Sequence, residues 1–338
     1  MTELKKRMTN LLSCYFPTTL VIVDDDQKFI DELTKLVDGE DITIRSFTDP
    51  VKALNYINNE SSINRLDFLK LAREGEDDTP DWHSIMINLN ELHDEIYSFN
   101  RFNQISVVIA DYSMPEMNGV DLCSKIIDPN VQKILMTGIG DGKIAIDAFN
   151  DGYINQFVKK DYPDFGEETM NCLHKSLIKY FKQYTDSVDN YLSVHGNNYL
   201  KDPAFMVFFQ SACLSSDYIE YYMLDCFGSY LFLNKNGKAI LLSVLPESEM
   251  QKIVEIGMDS GEIDPYVLEC LQTRQYMLAV HNKDGMLPPI KDWGNYLQIA
   301  RNITGYQTYY FSVIDSDYLD VKFEQIKTYE DFCSQRYK

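Results

Sequence analysis

The sequence predicts an α/β protein whose first half is a doubly wound, parallel, five-stranded sheet and whose second half is a mixed α+β domain. From residue 19 to residue 165, short apolar runs alternate with amphipathic helical patterns. Most of these runs are apolar along their whole length, which is typical of parallel strands covered on both faces. A chain of 338 residues is also too long for one ordinary domain, so we expect two.

Five predicted strands follow one another with helices between them. In chain order the strands are TLVIVDD, ITIRSF, QISVVIAD, VQKILMTGIGD and INQFVKKD. The intervening segments QKFIDELTKLVD, TDPVKALNYI, GVDLCSKI and GKIAIDAFNDG have apolar residues at helical spacing. In the second of these helices, Thr48 or Asp49 is expected to be the cap and Pro50 lies in the first turn.

Two segments lie outside this alternation. Residues 1–18 form an N-terminal extension before the first strand. Residues 58–103 contain two amphipathic helical patterns separated by the acidic turn EGEDDTP, so we interpret them as a helical insertion that packs at the edge of the sheet.

Residues 166–195 are predicted to form one long linker helix. Its apolar residues keep heptad spacing: Met170, Leu173, Leu177, Tyr180, Tyr184 and Tyr191. Such a stripe indicates either ordinary helix packing or a short coiled-coil seam, and the second possibility predicts a homodimer.

Residues 196–338 are predicted to be an α+β output domain. The run SYLFLN-KNG-KAILLSV indicates a hairpin closed by an Asn-Gly turn. We expect helices at 248–257 and 264–280, a late strand TYYFSVID, and a short helix at 317–327.

The composition excludes several classes of function. The net charge of −21 argues against a nonspecific DNA binder or a protein of anionic membranes, since phosphate surfaces require a positive face. No apolar run is long enough to span a bilayer, and the N-terminus lacks a cleavage pattern, so we expect a cytoplasmic protein. The seven cysteines show no CxxC and no zinc spacing, which favours reduced core thiols.

Acidic residues stand at the ends of two predicted strands. Asp24 and Asp25 end the first strand, and Asp111 ends the third. In an open doubly wound sheet these strands are neighbours, and ligands bind outside their carboxyl ends. Three carboxylates repel one another unless a cation neutralises them, and oxygen ligands of this kind suit Mg²⁺. The backbone carbonyl of Ser113 is a further candidate ligand.

The set of residues at the strand ends resembles that of response-regulator receiver domains, which have a flavodoxin-like fold. The resemblance rests on the Asp-Asp pair, on Asp111 followed by MPEMNG, on Thr137 after the fourth strand and on Lys159 after the fifth. It covers about residues 19–165, apart from the insertion. Five elements in the right order are far more specific than any one of them.

The resemblance implies a role for each acidic residue. Asp111 would be the phosphoacceptor, taking a phosphoryl group from a sensor histidine kinase or a phosphotransfer protein. Asp25 would bind Mg²⁺ directly, Asp24 would help directly or through water, and the Ser113 carbonyl would complete the protein ligands. The receiver would catalyse this transfer and the later dephosphorylation itself.

The resemblance also implies that Thr137 and Lys159 contact the phosphoryl oxygens and move when phosphate arrives. Two departures stand against this. The proline that commonly follows the lysine is replaced by Lys160, and alignment on Lys159 puts Gln156 at the position of the usual switch aromatic, with Phe157 next to it.

Simpler roles are open for the same residues. Asp24 and Asp26 are each suited to capping the first helix. The alternative for Thr137 is an ordinary strand-end hydroxyl, and an isolated lysine such as Lys159 is usually a solvated charge. For the set as a whole, phosphoacceptor chemistry is the favoured interpretation.

The second half contains no cyclase, phosphodiesterase or phosphate-loop motif. It also lacks a helix-turn-helix with a basic recognition face, which argues against DNA as a partner. The overall arrangement resembles the Lqs-type quorum-sensing response regulators, which implies partner sensor kinases, phosphorylation-linked dimerisation and an output domain related to nucleotide-binding folds. The alternative is a receiver-gated enzyme or nucleotide-binding effector. Direct nucleic-acid binding is a third hypothesis, which the acidic charge opposes.

Overall fold

The computed structural model describes residues 11–39, 41–60, 69–72, 84–87, 95–138, 141–194, 198–214, 217–280, 287–315 and 323–336. Within these ranges the chain forms two large sheets, and one long helix packs against both of them.

The elements of the first half follow the predicted alternation. Its strands are Cys14–Tyr15 (β1), Thr19–Val23 (β2), Thr43–Phe47 (β3), Leu69–Ala72 (β4), Ser84–Ile87 (β5), Ile105–Asp111 (β6), Gln132–Thr137 (β7) and Gln156–Lys159 (β8). Its helices are Gln27–Val37 (α1), Pro50–Glu60 (α2), Asn100–Asn103 (α3), Gly119–Ser124 (α4), Gly142–Asn150 (α5) and Phe165–Val194 (α6).

The parallel sheet has the strand order β3-β2-β6-β7-β8, and each neighbouring pair is parallel. Helices α1 and α6 pack on one face, against residues such as Ile22 and Ile109. Helices α2, α4 and α5 pack on the other face, against residues such as Val21 and Val108. The predicted doubly wound, five-stranded fold is therefore confirmed.

Side-chain caps fix where the helices on the sheet begin. Asp26 accepts a hydrogen bond from the Lys28 N–H at 2.9 Å and caps α1. Asp49, one of the two predicted caps, accepts from the N–H groups of Val51 and Lys52 at the start of α2. These bonds satisfy backbone donors that have no partner inside the helix.

The insertion at 58–103 was predicted to be helical, and this is wrong for the segments in which the structure describes strands. β4 and β5 pair with each other antiparallel in a separate two-stranded sheet, with Leu69 opposite Ile87. Helix α2 extends to Glu60, and a single helical turn at α3 precedes β6. Residues 61–68, 73–83 and 88–94 lie outside the described part of the chain.

Helix α6 was predicted as a linker, but its first half also completes the cover of the parallel sheet. Leu173, Leu177 and Tyr180 of the heptad stripe are buried in the core shared with that sheet. Farther along, Phe181 meets Phe16 edge to face at 5.0 Å and approaches the ring of Tyr15 at 4.9 Å. Leu173, Leu177 and Tyr180 therefore pack within the chain and are not free to form a coiled-coil seam.

The second half has its own set of elements. Its strands are Tyr218–Met223 (β9), Tyr230–Asn234 (β10), Ala239–Pro246 (β11), Tyr276–Leu278 (β12), Leu297–Ile299 (β13), Arg301–Thr304 (β14) and Thr308–Asp315 (β15). Its helices are Pro203–Leu214 (α7), Glu247–Ser260 (α8), Pro265–Gln272 (α9) and Tyr329–Arg336 (α10), with short 3-10 helices at Asn198–Lys201, Ile290–Tyr296 and Phe323–Gln325.

The C-terminal sheet is antiparallel and has the order β1-β9-β10-β11-β15-β14. The predicted β10–β11 hairpin and the late strand β15 are confirmed. The helix predicted at 264–280 ends at Gln272, and the chain then enters β12, which pairs with β13. The predicted N-terminal extension supplies the edge strand β1, in which Cys14 lies opposite Tyr222.

A buried arginine joins the two halves. Arg101, just before β6, forms an ion pair with Glu220 on β9, with Nε 2.8 Å from Oε2 and both side chains almost fully buried. Its remaining donors reach the backbone carbonyls of Glu95, Ser98 and Lys327, among others. None of the helices in the described ranges combines the length and apolar character needed to cross a membrane.

Candidate functional site

The site lies at the carboxyl ends of β2 and β6. These strands are parallel neighbours, with Val23 opposite Ala110, so the residues that follow them meet at one edge of the sheet. Carboxylate oxygens of Asp24, Asp25 and Asp111 all lie within 4.8 Å of one another. The sequence prediction that these three groups converge is correct.

Asp24 is the most buried of the three carboxylates, with 2% of its surface exposed. Its Oδ1 accepts a hydrogen bond from the Asp26 N–H at 2.9 Å, and its Oδ2 accepts from Lys160 Nζ at 2.7 Å. Burial raises the pKa of Asp24, and repulsion from Asp111 adds to the rise, although the bonds from Lys160 and Asp26 oppose it. Holding this carboxylate ionised therefore costs free energy that a bound cation would offset.

Asp111 is 6% exposed and is held through both oxygens. Its Oδ1 lies 2.8 Å from Lys160 Nζ, and its Oδ2 accepts a hydrogen bond from the Ser113 N–H at 2.8 Å. Asp25, in contrast, is exposed and stands at the open side of the cluster. Of the three carboxylates, Asp25 is therefore the one most open to solvent.

The turn after Asp111 explains the Met-Pro and Asn-Gly residues of the sequence. The Gly119 N–H donates to the Tyr112 carbonyl at 3.1 Å, which brings the start of α4 back against the end of β6. A Cβ on Gly119 would overlap the Asp111 carbonyl oxygen, so any side chain here would displace the backbone of Asp111. Asn118 caps α4 by accepting from the Asp121 N–H.

The lysine that contacts the carboxylates is Lys160, and the prediction of Lys159 is wrong in this respect. Lys159 is the last residue of β8, and its exposed side chain lies toward the start of α5, beside Gly142. The next residue lies past the strand end, where the Lys160 N–H donates to the Thr137 carbonyl at 2.9 Å. Side chains alternate along a strand, so this one-residue step turns the Lys160 ammonium toward β2 and β6.

Three groups surround the Lys160 ammonium: the carboxylates of Asp24 and Asp111, and the ring of Phe29, whose centroid lies 3.9 Å from Nζ. Burial alone would lower the pKa of Lys160, but its hydrogen bonds with Asp111 and Asp24 outweigh burial and raise that pKa. The group is therefore cationic throughout the physiological pH range.

This set of oxygens fits a hard divalent cation. Three carboxylates from two neighbouring loops leave room for water and for a phosphate oxygen, which is how Mg²⁺ is commonly held. The Ser113 N–H points to Asp111 in this structure, and its carbonyl remains a candidate ligand.

Comparison with known proteins supports the resemblance of this half of the chain to receiver domains. The response regulator LqsR of Legionella pneumophila has a similar structure, with a TM-score of 0.77 and 29% identity over 96% of each chain. Residues of this chain are 35% identical over 71 positions to the chemotaxis protein CheY of Thermotoga maritima. The first half of the chain is therefore similar to response-regulator receiver domains in both fold and sequence.

The extent of these matches differs. The similarity to CheY spans 20% of this chain and 59% of that relative, so it concerns part of the receiver domain only. The similarity to LqsR spans both halves, including the C-terminal sheet. No family model matches the chain.

Alignment of the receiver domain on Lys160 changes two expectations. The switch aromatic, three residues before the lysine, now falls on Phe157 instead of Gln156, and Asp161 stands at the position of the usual proline. Phe157 packs half-buried on the α5 face of the sheet, while Gln156 anchors α6 by donating to the Cys172 carbonyl and the Ser176 hydroxyl. No cis peptide bond occurs among the described residues.

Thr137 ends β7 and is fully buried. Its hydroxyl has no hydrogen-bond partner among the residues that the structure describes, although a buried hydroxyl normally finds one. A hydroxyl donor without a described partner at this edge fits the predicted contact of Thr137 with a phosphoryl oxygen.

The spacing of three residues between Phe157 and Lys160 is the signal that would have identified Lys160 from the sequence.

Proposed function

We propose that this chain is a two-component response regulator in which Asp111 accepts a phosphoryl group from a sensor histidine kinase or a phosphotransfer protein. The observation that carries the proposal is the pairing of Asp111 with a lysine inside a cluster of three carboxylates at the sheet edge. Three carboxylates this close repel one another, and Lys160 alone offsets only part of their negative charge.

The residues have separable roles in the transfer. An Asp111 oxygen attacks the phosphorus of a phosphohistidine, the P–O bond forms, and the P–N bond breaks with its electron pair going to the imidazole nitrogen. Asp24, Asp25, Asp111 and the Ser113 carbonyl would hold Mg²⁺, which offsets negative charge on the transferring group. Lys160 and the Thr137 hydroxyl bind the phosphoryl oxygens once the Asp111 side chain carries them.

The added charge is the signal. A phosphoryl group brings about −1.5 to −2 charges to a site where Lys160 already serves two carboxylates. The ammonium must then shift toward the phosphoryl oxygens and release part of its bond to Asp24. Thr137 gains the partner it lacks among the described residues.

We further propose that residues 19–165 and 196–338 act as input and output units of one cytoplasmic protein. The acidic charge supports output by protein contact or by a phosphorylation-dependent homodimer, without DNA. Because Leu173, Leu177 and Tyr180 of the α6 stripe are buried within the chain, such a dimer would not be formed through these residues. Likeness to LqsR suggests a role in quorum-sensing signalling.

The test uses the full chain with acetyl phosphate and Mg²⁺. We expect intact-mass measurement to show one added phosphoryl group, lost when Mg²⁺ is chelated and absent from Asp111→Asn. Asp26→Asn is the matched control, since it changes a neighbouring carboxylate that only caps α1, and asparagine caps equally well. Undiminished phosphorylation of Asp111→Asn would overturn the proposal.

A second measurement addresses the output. Light scattering of the full chain with and without beryllofluoride and Mg²⁺ is expected to show a change of mass that Asp111→Asn does not show. An unchanged mass, with Asp111 phosphorylated, would exclude the dimer and leave contact with another protein as the output.

A further inference from the structure

The Lys160 side chain has a third neighbour besides its two carboxylate partners. The centroid of the Phe29 ring lies 3.9 Å from the Lys160 Nζ atom. A lysine side chain is long and flexible, and its ammonium is strongly hydrated. A ring face against the ammonium excludes water there and adds an electrostatic attraction.

The position of Phe29 is itself fixed by the site. Asp24 accepts from the Asp26 N–H, and Asp26 caps α1 and accepts the first helical bond from the Ile30 N–H. The first turn of α1 is thereby tied to the acidic cluster, and Phe29 lies within that turn. The ring is half-buried, so it is held by packing on one side and meets Lys160 on the other.

Phe29 also contacts the start of α6. Its ring centroid lies 5.7 Å from that of Phe165, the first residue of the 30-residue helix, at an interplanar angle of 47°. One residue later, a Cβ on Gly166 would lie 3.4 Å from Leu36 on α1. The beginning of α6 therefore rests on the same helix that positions the lysine contact.

The far part of α6 reaches the C-terminal sheet. Phe181 packs on Tyr15 and Phe16 beside β1, and Asp189 accepts a hydrogen bond from the Ser13 hydroxyl. A displacement at the start of this helix is carried along a rigid element into the second sheet.

We propose that Phe29 is a positioning residue that holds the Lys160 ammonium on Asp111 and connects that ammonium to α6 through Phe165. The inference rests on the proposed function of Asp111. The proposed contacts would transmit the effect of phosphorylation to the C-terminal half along the α1–α6 face of the sheet, opposite the face where Phe157 packs. When Lys160 moves to a phosphoryl group, Phe29 loses its ammonium contact and the start of α6 is released.

The first experiment measures the rate of phosphorylation by acetyl phosphate in the full chain. Phe29→Leu keeps an apolar side chain but removes the ring face, and we expect the rate at saturating Mg²⁺ to fall about fivefold. Phe29→Tyr keeps the ring and is expected to restore the rate to within about twofold. Phe47→Leu is the matched control, since it removes a half-buried ring on the opposite face, where Phe47 pairs with Tyr56.

The second experiment measures hydrogen exchange of residues 165–175 with and without beryllofluoride. We expect beryllofluoride to change exchange in this segment in the wild type and not in Phe165→Leu, which keeps the contact between Lys160 and Phe29. Phosphorylation of Phe165→Leu is expected to proceed within about twofold of the wild-type rate, because the lysine retains all three of its contacts.

The outcomes separate the two proposals. If Asp111→Asn is still phosphorylated, the proposed function fails. If Asp111 is the acceptor but Phe29→Leu and Phe47→Leu react equally fast, the positioning role of Phe29 is refuted. A Phe29→Tyr rate as low as that of Phe29→Leu would refute it too, and unchanged exchange at 165–175 in the wild type would refute the route through Phe165.

Discussion

The two large sheets differ in how completely their buried charged side chains are paired. At the C-terminal sheet, Arg101 and Glu220 are fully buried, and Arg101 donates to both Glu220 oxygens and to several backbone carbonyls. Tyr222 adds a further hydrogen bond to Glu220 at 2.6 Å. Both members of this ion pair therefore have several partners, as a buried pair requires.

At the edge of the parallel sheet, the pairing is incomplete. One ammonium, Lys160, serves both Asp24 and Asp111, while Asp25 lies exposed beside them. The Thr137 hydroxyl lacks a partner among the described residues. The difference is that the partners of the Arg101–Glu220 pair all lie within the chain, whereas at the parallel edge one ammonium is shared by two carboxylates and Asp25 is exposed, as the proposed phosphorylation site requires.

The largest effect is expected when the ion pair between the halves is broken. Arg101→Met leaves the Glu220 carboxylate buried without its cation, so we expect the free energy of unfolding to fall by about 3–5 kcal/mol. Urea unfolding of the full chain measures the loss. Arg274→Met is the matched control, because Arg274 pairs with the half-exposed Glu247 and its loss should cost less than about 1 kcal/mol. Equal losses in the two variants would contradict the contrast between the sheets.

A smaller effect is expected at the turn after Asp111. Gly119→Ala places a methyl group against the Asp111 carbonyl, and we expect a loss of about 1–3 kcal/mol of stability together with slower phosphorylation. Gly142→Ala is the matched control, since the nearest atoms to its new methyl group belong to Lys159, at 3.9 Å. Thermal unfolding and acetyl phosphate assays of both variants test this. A Gly119→Ala protein as stable and as active as Gly142→Ala would contradict it.

The fold of the parallel sheet and its acidic edge could be predicted because both follow from local patterns. Apolar runs of strand length define β2 and β6, and parallel strands bring their ends to one edge. Asp24, Asp25 and Asp111 follow those runs directly, so their convergence required no knowledge of distant contacts.

Other features could not be predicted because they depend on distant partners. The pairing of Arg101 with Glu220 joins residues more than one hundred positions apart, and neither belongs to a local motif. The pairing of β1 with β9 has the same character. The choice of Lys160 over Lys159 is a different case, because the residue at which β8 ends is uncertain in a sequence pattern and only the spacing to Phe157 indicates Lys160.

The two adjacent lysines allow a direct test of the site. Lys160→Gln removes the cation beside Asp111, so we expect phosphorylation by acetyl phosphate to slow about tenfold, equivalent to about 1.4 kcal/mol. Lys159→Gln is the matched control, because its exposed side chain points to the start of α5. If Lys159→Gln were the slower variant, the position of the lysine described above would be wrong.

The smallest effect is expected at the pair of Glu247 and Arg274 on the C-terminal half. The hydrogen bonds from Arg274 lower the pKa of Glu247, so the stability from this pair is present above the ordinary glutamate pKa and is lost as the pH falls through the lowered value. Because 45% of the Glu247 side chain is exposed, water screens the pair. We expect Glu247→Gln to cost at most about 0.5 kcal/mol at pH 7. The difference from wild type in urea unfolding should shrink at pH 3.5, whereas Glu255→Gln, which alters a contact with Gln251 on the same helix, should show no such trend. If the stability cost of Glu247→Gln grew as the pH fell, the folded state would favour protonated Glu247, as it does for a buried carboxyl group. Glu247 would then resemble the buried carboxylates at the edge of the parallel sheet and not a surface ion pair.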